Sequence, residues 1–155
     1  MKLAIVQVRG GIGLNRSIKD TFKLLKLPKK HSCVLVTYTP SIQGMLTKIK
    51  DYTTWGDINQ ETLKLLLEKR GRLAGGKALT ESYLKEKTTH TFDSFSKNVL
   101  EGNATLKDLP GLKPYFRLKP PTRGFERGGI KVPFSMGGVL GYRKDHINDL
   151  IKRML

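Results

Sequence analysis

The sequence predicts an α+β fold in which a small sheet with helices on one side precedes a mostly helical second lobe. Strand-like and amphipathic stretches alternate in the order β-α-β-α-β as far as Ile58. Helical spacing of leucines begins after Asn59. From Gly111 to Pro133, prolines, glycines and cations replace any regular apolar pattern. These three observations divide the chain into parts 1–58, 59–110 and 111–155.

The first part holds three β-rich runs and two amphipathic stretches. The run KLAIVQV is typical of a buried strand, and Ile18, Phe22 and Leu25 recur at helical spacing after a glycine-rich turn. Pro40 is a suitable first residue for the second helix. We predict strands at 2–8, 32–38 and 52–58, and helices at 16–27 and 40–49.

The rest of the chain is predicted to add four helices. Gly71 is a suitable stop for the first of them, and Ile147, Leu150 and Ile151 form the inward face of the last. The predicted helices are 60–70, 80–87, 92–102 and 144–154. Residues 111–133 are predicted to be irregular, with few core contacts and mobile in the free protein.

Charge is the property that sets the composition apart. The 29 lysines and arginines outnumber the 13 acids, which gives a net charge of +16. The excess is +7 in 1–58, +2 in 59–110 and +7 in 111–155. Cations this numerous repel one another unless a polyanion neutralises them, and nucleic acid is the commonest such partner. The pattern predicts two RNA-facing regions joined by a nearly neutral structural segment.

Other classes of protein have less support. No stretch approaches the ~20 apolar residues of a membrane-spanning helix, so no membrane partner is expected. The single cysteine, Cys33, is expected in the core of a cytoplasmic protein. His31, His90 and His146 lie far apart in polar settings, and no metal-ligand spacing or activated nucleophile is evident. We therefore predict no catalytic residue, no metal and no cofactor.

The glycine-rich turn Arg9–Arg16 invites a phosphate-binding interpretation. Glycines let backbone N–H groups approach an anion, and the following helix adds its positive end. Arg16 stands where a dinucleotide-binding loop needs its third glycine, and no Gly-Lys-Ser/Thr follows. Contact with an RNA phosphate, a simple strand-to-helix turn and nucleotide binding at Gly10–Gly13 all remain open.

The basic segment is the second candidate site. Cations on an extended chain can follow successive phosphates, and four aromatic residues nearby could stack on bases or anchor the segment. Each aromatic is interpreted as an anchor; they are Tyr115, Phe116, Phe125 and Phe134. The candidate RNA contacts here, with the two cations that follow, are Arg117, Lys119, Arg123, Arg127, Lys131, Arg143 and Lys144.

Several motifs resemble one ribosomal family. They are the opening KLAIVQVRGGIG, the stretch YTPSIQGMLTKI from Tyr38 to Ile49, and YTTWG from Tyr52 to Gly56. Toward the other end they are Pro120–Gly124, Gly137–Gly138 and Gly141–Arg143. The chain resembles the large-subunit ribosomal protein family called L-thirty in bacteria and L-seven in eukaryotes, in an archaeal-type form. The resemblance to the longer, archaeal and eukaryotic branch covers essentially the whole chain.

This resemblance implies a three-stranded antiparallel sheet with two helices on one face, loosely ferredoxin-like. It also implies contact with 23S ribosomal RNA, with 5S RNA and other large-subunit proteins nearby. The residues placed on the family's first loop are Arg9, Gly13 and Arg16, and Lys19 follows in the first helix. Those on its second-helix motif are Thr39, Pro40, Gly44 and Lys48. Gly44 would let a phosphate or a packing neighbour approach closely.

The function predicted is that of a structural, RNA-positioning component of the large ribosomal subunit in the cytoplasm, without enzymatic activity. Lysines and arginines would neutralise phosphates of separate RNA helices and fix their relative position. Two rivals remain open. One is a nucleotide- or phosphate-binding protein using the Gly10–Gly13 loop, and the other is a basic adaptor for acidic proteins.

Overall fold

The computed structural model describes residues 1–155. Its strands are β1 (Lys2–Gln7), β2 (Ser32–Thr37), β3 (Thr53–Asp57), β4 (Phe116–Arg117) and β5 (Gly141–Tyr142). Its helices are α1 (Arg16–Leu24), α2 (Pro40–Ile49), α3 (Gln60–Arg70), α4 (Glu81–Thr88), α5 (Phe92–Glu101) and α6 (Ile147–Met154). The predicted α+β class and the β-α-β-α-β start are confirmed.

The sheet has five strands in the order β4-β2-β1-β3-β5. β1 pairs antiparallel with β2 and with β3, which gives the three strands that were predicted. Two short strands from the third part extend it, β4 antiparallel to β2 and β5 parallel to β3. The predicted number of strands, three, is therefore wrong. The sheet has five strands and is mixed, because the third part of the chain pairs with both free edges.

Helices cover both faces of this sheet. Leu3 and Ile5 point toward α1 and α2, where they join a core with Phe22 and Leu46. The alternate β1 residues face a larger core built from α3, α4, α5 and α6; they are Ala4 and Val6. Two helices do cover one face, as predicted. The helices after Asn59 cover the other face, so the central strand is buried on both sides.

Local sequence accounts for the helix boundaries. Thr39 Oγ1 accepts a hydrogen bond from the Ile42 N–H at 3.3 Å, and Pro40 occupies the first turn of α2. α1 ends at Leu24, earlier than predicted, since Lys26 takes a positive φ of 57°. α6 begins at Ile147 because residues 144–146 form a 3₁₀ turn.

Gly56 shows how closely the third part packs on the sheet. A Cβ at this position would lie 2.1 Å from the carbonyl oxygen of Lys144. Only glycine lets the turn before α6 rest against β3 at this distance. The Asn148 side chain then spans the junction: its amide donates to the carbonyl of Asp57 at 2.9 Å, and its oxygen accepts from the Asn59 N–H at 3.0 Å.

Candidate nucleic-acid interface

A cleft beside β4 gathers cations from two parts of the chain. It has a volume of about 390 Å³, and no acidic residue lines it. We call it the β4 cleft; its charged lining residues are Arg70, Arg72, Lys113, Arg117 and Lys119. Arg117 and Lys119 were predicted individually as RNA contacts and Lys113 only as one cation of the basic segment, whereas Arg70 and Arg72 were not predicted. Five cations without an acid form a surface complementary to phosphate.

Period-two alternation positions the β4 side of the cleft. Phe116 and Leu118 are 1% and 6% exposed and enter the core, so Arg117 and Lys119 between and after them face outward. The backbone is fixed by hydrogen bonds from the N–H of Leu118 to His31 O and from the N–H of Lys119 to Met154 O, both 2.9 Å. Phe116 and Leu118 thus join the start of the basic segment to the core, and the mobility of the segment in the free protein stays a prediction.

The other side of the cleft comes from the end of α3. Lys113 N–H donates to the carbonyl of Arg72 at 2.8 Å, which joins the two sides of the cleft. The Arg70 guanidinium donates to the carbonyl of Leu155, while its buried Nε has no partner. The Nε atom is the one donor of this side chain that is buried without an acceptor, and such a donor costs free energy until it finds one.

A second, open groove lies between α1 and the same segment. Lys19, Lys23 and Lys26 surround it, and Phe22 and Tyr115 form its apolar walls. Tyr115 also lines the β4 cleft, so the two depressions adjoin at this ring. Lys19, a predicted RNA contact, thus belongs to a basic surface continuous with the cleft.

The glycine turn stands out from the surface. Ile12 at its tip is 99% exposed, and Gly13 takes a positive φ of 73°. Arg9 is held at its base, since its guanidinium donates to the Asp51 carbonyl at 3.0 Å and lies 5.0 Å from the centre of the Tyr52 ring. Arg16 is exposed at the start of α1, where the Asn15 side chain makes no capping hydrogen bond.

The α2 motif divides into structural and exposed residues. Thr39 and Pro40 have local roles in starting the helix, as described above. Lys48 is exposed, and a Cβ on Gly44 would meet nothing within 4 Å. No packing neighbour within the chain therefore explains this glycine. An exposed glycine inside a helix lowers helix stability by roughly 1 kcal/mol relative to alanine. Close approach of an external partner to the backbone would account for a glycine here.

Arg143 was predicted to contact RNA, but the structure buries its side chain. Its side chain is 1% exposed, and its Nε donates to Thr54 Oγ1 at 2.8 Å. One terminal nitrogen donates to Glu126 at 3.0 Å and the other to the carbonyl of Val139 at 2.8 Å, over the ring of Phe134. These donors are used inside the protein, so Arg143 holds the third part together and is not free to bind RNA.

Glu126 is the acid that makes this burial tolerable. Its carboxylate also accepts from Arg153 at 3.2 Å. Burial alone would raise the pKa of Glu126, but the hydrogen bond from Arg143 and the positive charge of both arginines keep that pKa below its usual value. The single acid of residues 111–133 is thus occupied by internal cations and does not offset the exposed ones.

The remaining candidates are exposed but lie outside the β4 cleft. They are Arg123, Arg127, Lys131 and Lys144. Arg123 and Lys144 take positive φ angles of 65° and 49°, in tight turns. The structure brings together Arg117 and Lys119 in one cleft, with Lys19 in the adjoining groove. It brings Arg9 and Gly13 together in a separate depression beside Lys30.

Sequence reasoning missed Arg70 and Arg72. Both were assigned to a nearly neutral middle part, because charge was summed over 59–110 as a whole. A signal was present in the segment LEKRGR, where three cations follow one acid at the end of α3. Lys113 was counted in the basic segment, and only the fold shows that it faces Arg72.

Two further side chains, Cys33 and His31, have shifted pKa values. Cys33 is fully buried, as predicted, and burial raises the pKa of its thiol to about 12. His31 is half-buried, although its setting in the sequence is polar, and it stacks on Phe125 with 6.2 Å between ring centres. Burial and nearby Lys30 lower its pKa. No group of three or more His, Cys, Asp or Glu side chains is placed to hold a metal ion. No helix is long and apolar enough to span a bilayer.

Known proteins are similar to this sequence along its whole length. The family described as ribosomal protein L30p/L7e matches residues 3–53. Large ribosomal subunit protein uL30 of Methanopyrus kandleri is 49% identical over 149 residues, 96% of this chain and 100% of that protein. The protein of the same name from Methanococcus vannielii is 49% identical over 155 residues, 100% of both chains. That of Archaeoglobus fulgidus is 49% identical over 152 residues, 97% of this chain and 98% of its own.

These relatives, whose similarity extends over the whole α+β chain, define the class: a ribosomal protein family. The chain belongs to the ribosomal protein L30p/L7e family. The resemblance seen in the sequence motifs is thereby confirmed, including its archaeal-type form.

Proposed function

We propose that the chain is a structural constituent of the large ribosomal subunit that positions ribosomal RNA by binding its phosphates, and so supports translation. The observation that carries the proposal is the β4 cleft, where five cations converge without an acid. The relatives are large ribosomal subunit proteins, which supports this location. The proposed partners are 23S RNA, with 5S RNA and large-subunit proteins as neighbours.

The proposed mechanism is a clamp. The β4 cleft and the adjoining groove beside α1, which is lined by Lys19, Lys23 and Lys26, would hold one RNA strand through its phosphates. The exposed cations at Arg123, Arg127, Lys131 and Lys144 would meet other strands, as would the face of α2 with Gly44 and Lys48. Phosphate contacts fix position and orientation without reading sequence. A rigid protein that meets several strands in this way would fix their relative placement.

Location is tested by a sucrose gradient of native lysate at low magnesium, which separates the subunits. We expect stoichiometric comigration with the large subunit, lost only at high salt because phosphate contacts are salt-dependent. A protein that stays free of RNA at the top of the gradient would contradict the proposal. It would favour the basic adaptor or the nucleotide-binding loop instead.

The cleft itself is tested with Arg117→Gln/Lys119→Gln. Both side chains are exposed, so the fold should persist while two phosphate contacts are lost. We expect release from the subunit at lower salt, and a slope of log K against log salt for purified 23S RNA that is shallower by about two. The matched control is Lys85→Gln/Lys97→Gln, which removes two exposed cations of α4 and α5 that pair with glutamates. Equal effects of the two double variants would mean that the cleft is no special anchor.

A further inference from the structure

The groove beside α1 contains more than phosphate binding requires. It has a volume of about 470 Å³ and lies within the range of about 300–1,000 Å³ that small-ligand sites occupy. An aromatic ring, a buried amide and exposed cations line the same depression. Its relevant lining residues are Gln7, Phe22, Tyr115, Lys19, Lys23 and Lys26.

Gln7 supplies an unused hydrogen-bond acceptor in this groove. The side chain lies at the end of β1 and is 2% exposed. Its Nε2 donates to the carbonyl oxygen of Arg9 at 2.9 Å, which fixes the orientation of the amide because a carbonyl can only accept. The Oε1 atom is buried and has no partner in the chain. A ligand that brings an N–H group would provide the partner that the fold omits.

Tyr115 supplies a flat apolar surface beside that acceptor. It is half-buried, and it separates the groove from the β4 cleft, to which it also contributes. Phe22, 5% exposed, also lines the groove and is fixed edge-to-face against Tyr52 at 6.3 Å between ring centres. A planar ring that stacked on Tyr115 would therefore lie between the phosphate-binding cleft and the lysines of α1.

The lysines of the groove favour an anion attached to that ring. All three are exposed on α1 or just after it. Asp20 lies 3.9 Å from Lys23, whereas Lys19 and Lys26 make no ion pair within the chain. A flat ring with N–H groups and a flanking negative charge is a nucleobase with its phosphate.

We propose that this groove holds the base of one unpaired RNA nucleotide, extruded from its helix. The base stacks on Tyr115, an N–H of its edge donates to Gln7 Oε1, and the flanking phosphates meet Lys19 and Lys26. The inference rests on the proposed function and adds to it a specific RNA feature, a bulged nucleotide. The protein would then recognise one point along the strand that its cations hold.

Fluorescence anisotropy with labelled RNA hairpins tests the proposal. One hairpin carries a single bulged adenosine, the second is fully paired, and the third carries an abasic site at the bulge. We expect the protein to prefer the bulged hairpin by about tenfold over the other two, because a factor of ten lies within the range that one base–aromatic stack contributes. Tyr115→Leu should remove the preference, whereas Tyr115→Phe, which keeps the ring, should retain it. Tyr38→Leu is the matched control, since that exposed tyrosine lies outside the groove.

The outcomes separate this inference from the function beneath it. Salt-dependent binding without preference for the bulge, or a preference that Tyr115→Leu leaves intact, would overturn the inference and leave the phosphate clamp standing. Equal binding of the abasic and bulged hairpins would show that only phosphate is bound, which also overturns it. Free AMP could displace the bulged hairpin at a concentration far below the concentration of inorganic phosphate that has the same effect. That result would assign the groove to a free nucleotide instead. Failure to bind any hairpin would count against the proposed function and the inference together.

Discussion

Glu126 and Arg143 form an ion pair that joins the third part of the chain to β3, where Arg143 also donates to Thr54. Arg143 is a predicted surface contact that the fold buries, and Glu126 meets it with both carboxylate oxygens, at 3.0 and 3.4 Å. Removal of one member of such a pair leaves the other charge buried and uncompensated. The sequence could not reveal this pairing, because the two residues come together only when β5 joins the sheet.

We predict that Glu126→Gln lowers the free energy of unfolding at pH 7 by about 3 kcal/mol. The pKa of Glu126 is lowered in the folded protein, so the unfolded chain binds its proton more readily. The stabilisation is therefore complete above the ordinary value of 4.5 and is lost as pH falls below it. Urea unfolding of both proteins at pH 7 and at acid pH measures the difference, which should shrink in acid. The exposed pair of Glu101 with Lys97 provides a control, and Glu101→Gln should change little. A constant difference at all pH values would contradict the ionic role.

Substitution of Gly44 should have opposite effects on the stability of the free protein and on its incorporation into the large subunit. We predict that Gly44→Ala stabilises the free protein by about 0.5–1 kcal/mol, because the site is helical and a Cβ meets nothing. The same methyl group should weaken incorporation into the large subunit, if a phosphate or backbone of the partner approaches there. Thermal unfolding and gradient sedimentation give the two readouts. Ser82→Ala, which also favours helix on exposed α4, is the control. Stabilisation with unchanged incorporation would mean that no partner comes close to Gly44.

At the scale of elements, β4 shows where sequence reasoning stops. The helices and the first three strands were predictable since each carries its own periodicity. β4 has two residues between Pro114 and Pro120, too few for a pattern. It becomes a strand only because β2 offers an unpaired edge, to which Cys33 and Phe116 are matched in register. The coverage of both faces, by contrast, was signalled in the uninterrupted apolar run of β1, which is typical of strands buried on two sides.

We predict that Phe116→Ala lowers the free energy of unfolding by about 3–5 kcal/mol, since the ring is 1% exposed and leaves a cavity. Tyr115→Ala, one position earlier and half-buried, should cost much less. Urea unfolding of the two variants makes the comparison. Similar small losses in both would mean that the basic segment is not anchored through β4 in the free protein, and would favour the predicted mobility.

At the scale of the whole molecule, one core draws on all three parts of the chain. Cys33, Leu66 and Phe116 belong to a single buried cluster, which Leu150 completes. The division into 1–58, 59–110 and 111–155 stays a prediction about sequence texture. The distribution of charge also depends on the fold. Net charge summed over each part of the chain predicted two basic regions, but folding places Arg70 and Arg72 of the middle part beside Arg117. Summed charge along the chain cannot show which cations a fold will bring together.

The double coverage of β1 also has a consequence in time, while the chain is being made. The layer of α1 and α2 is assembled from residues before Ile58 and can close as soon as they emerge. The opposite layer needs Phe116 and then α6, so the leucines of α3 wait for residues translated much later. At roughly 5–20 residues per second, that interval lasts several seconds. During it the nascent protein presents an apolar sheet face to its surroundings, which is the kind of surface that chaperones protect.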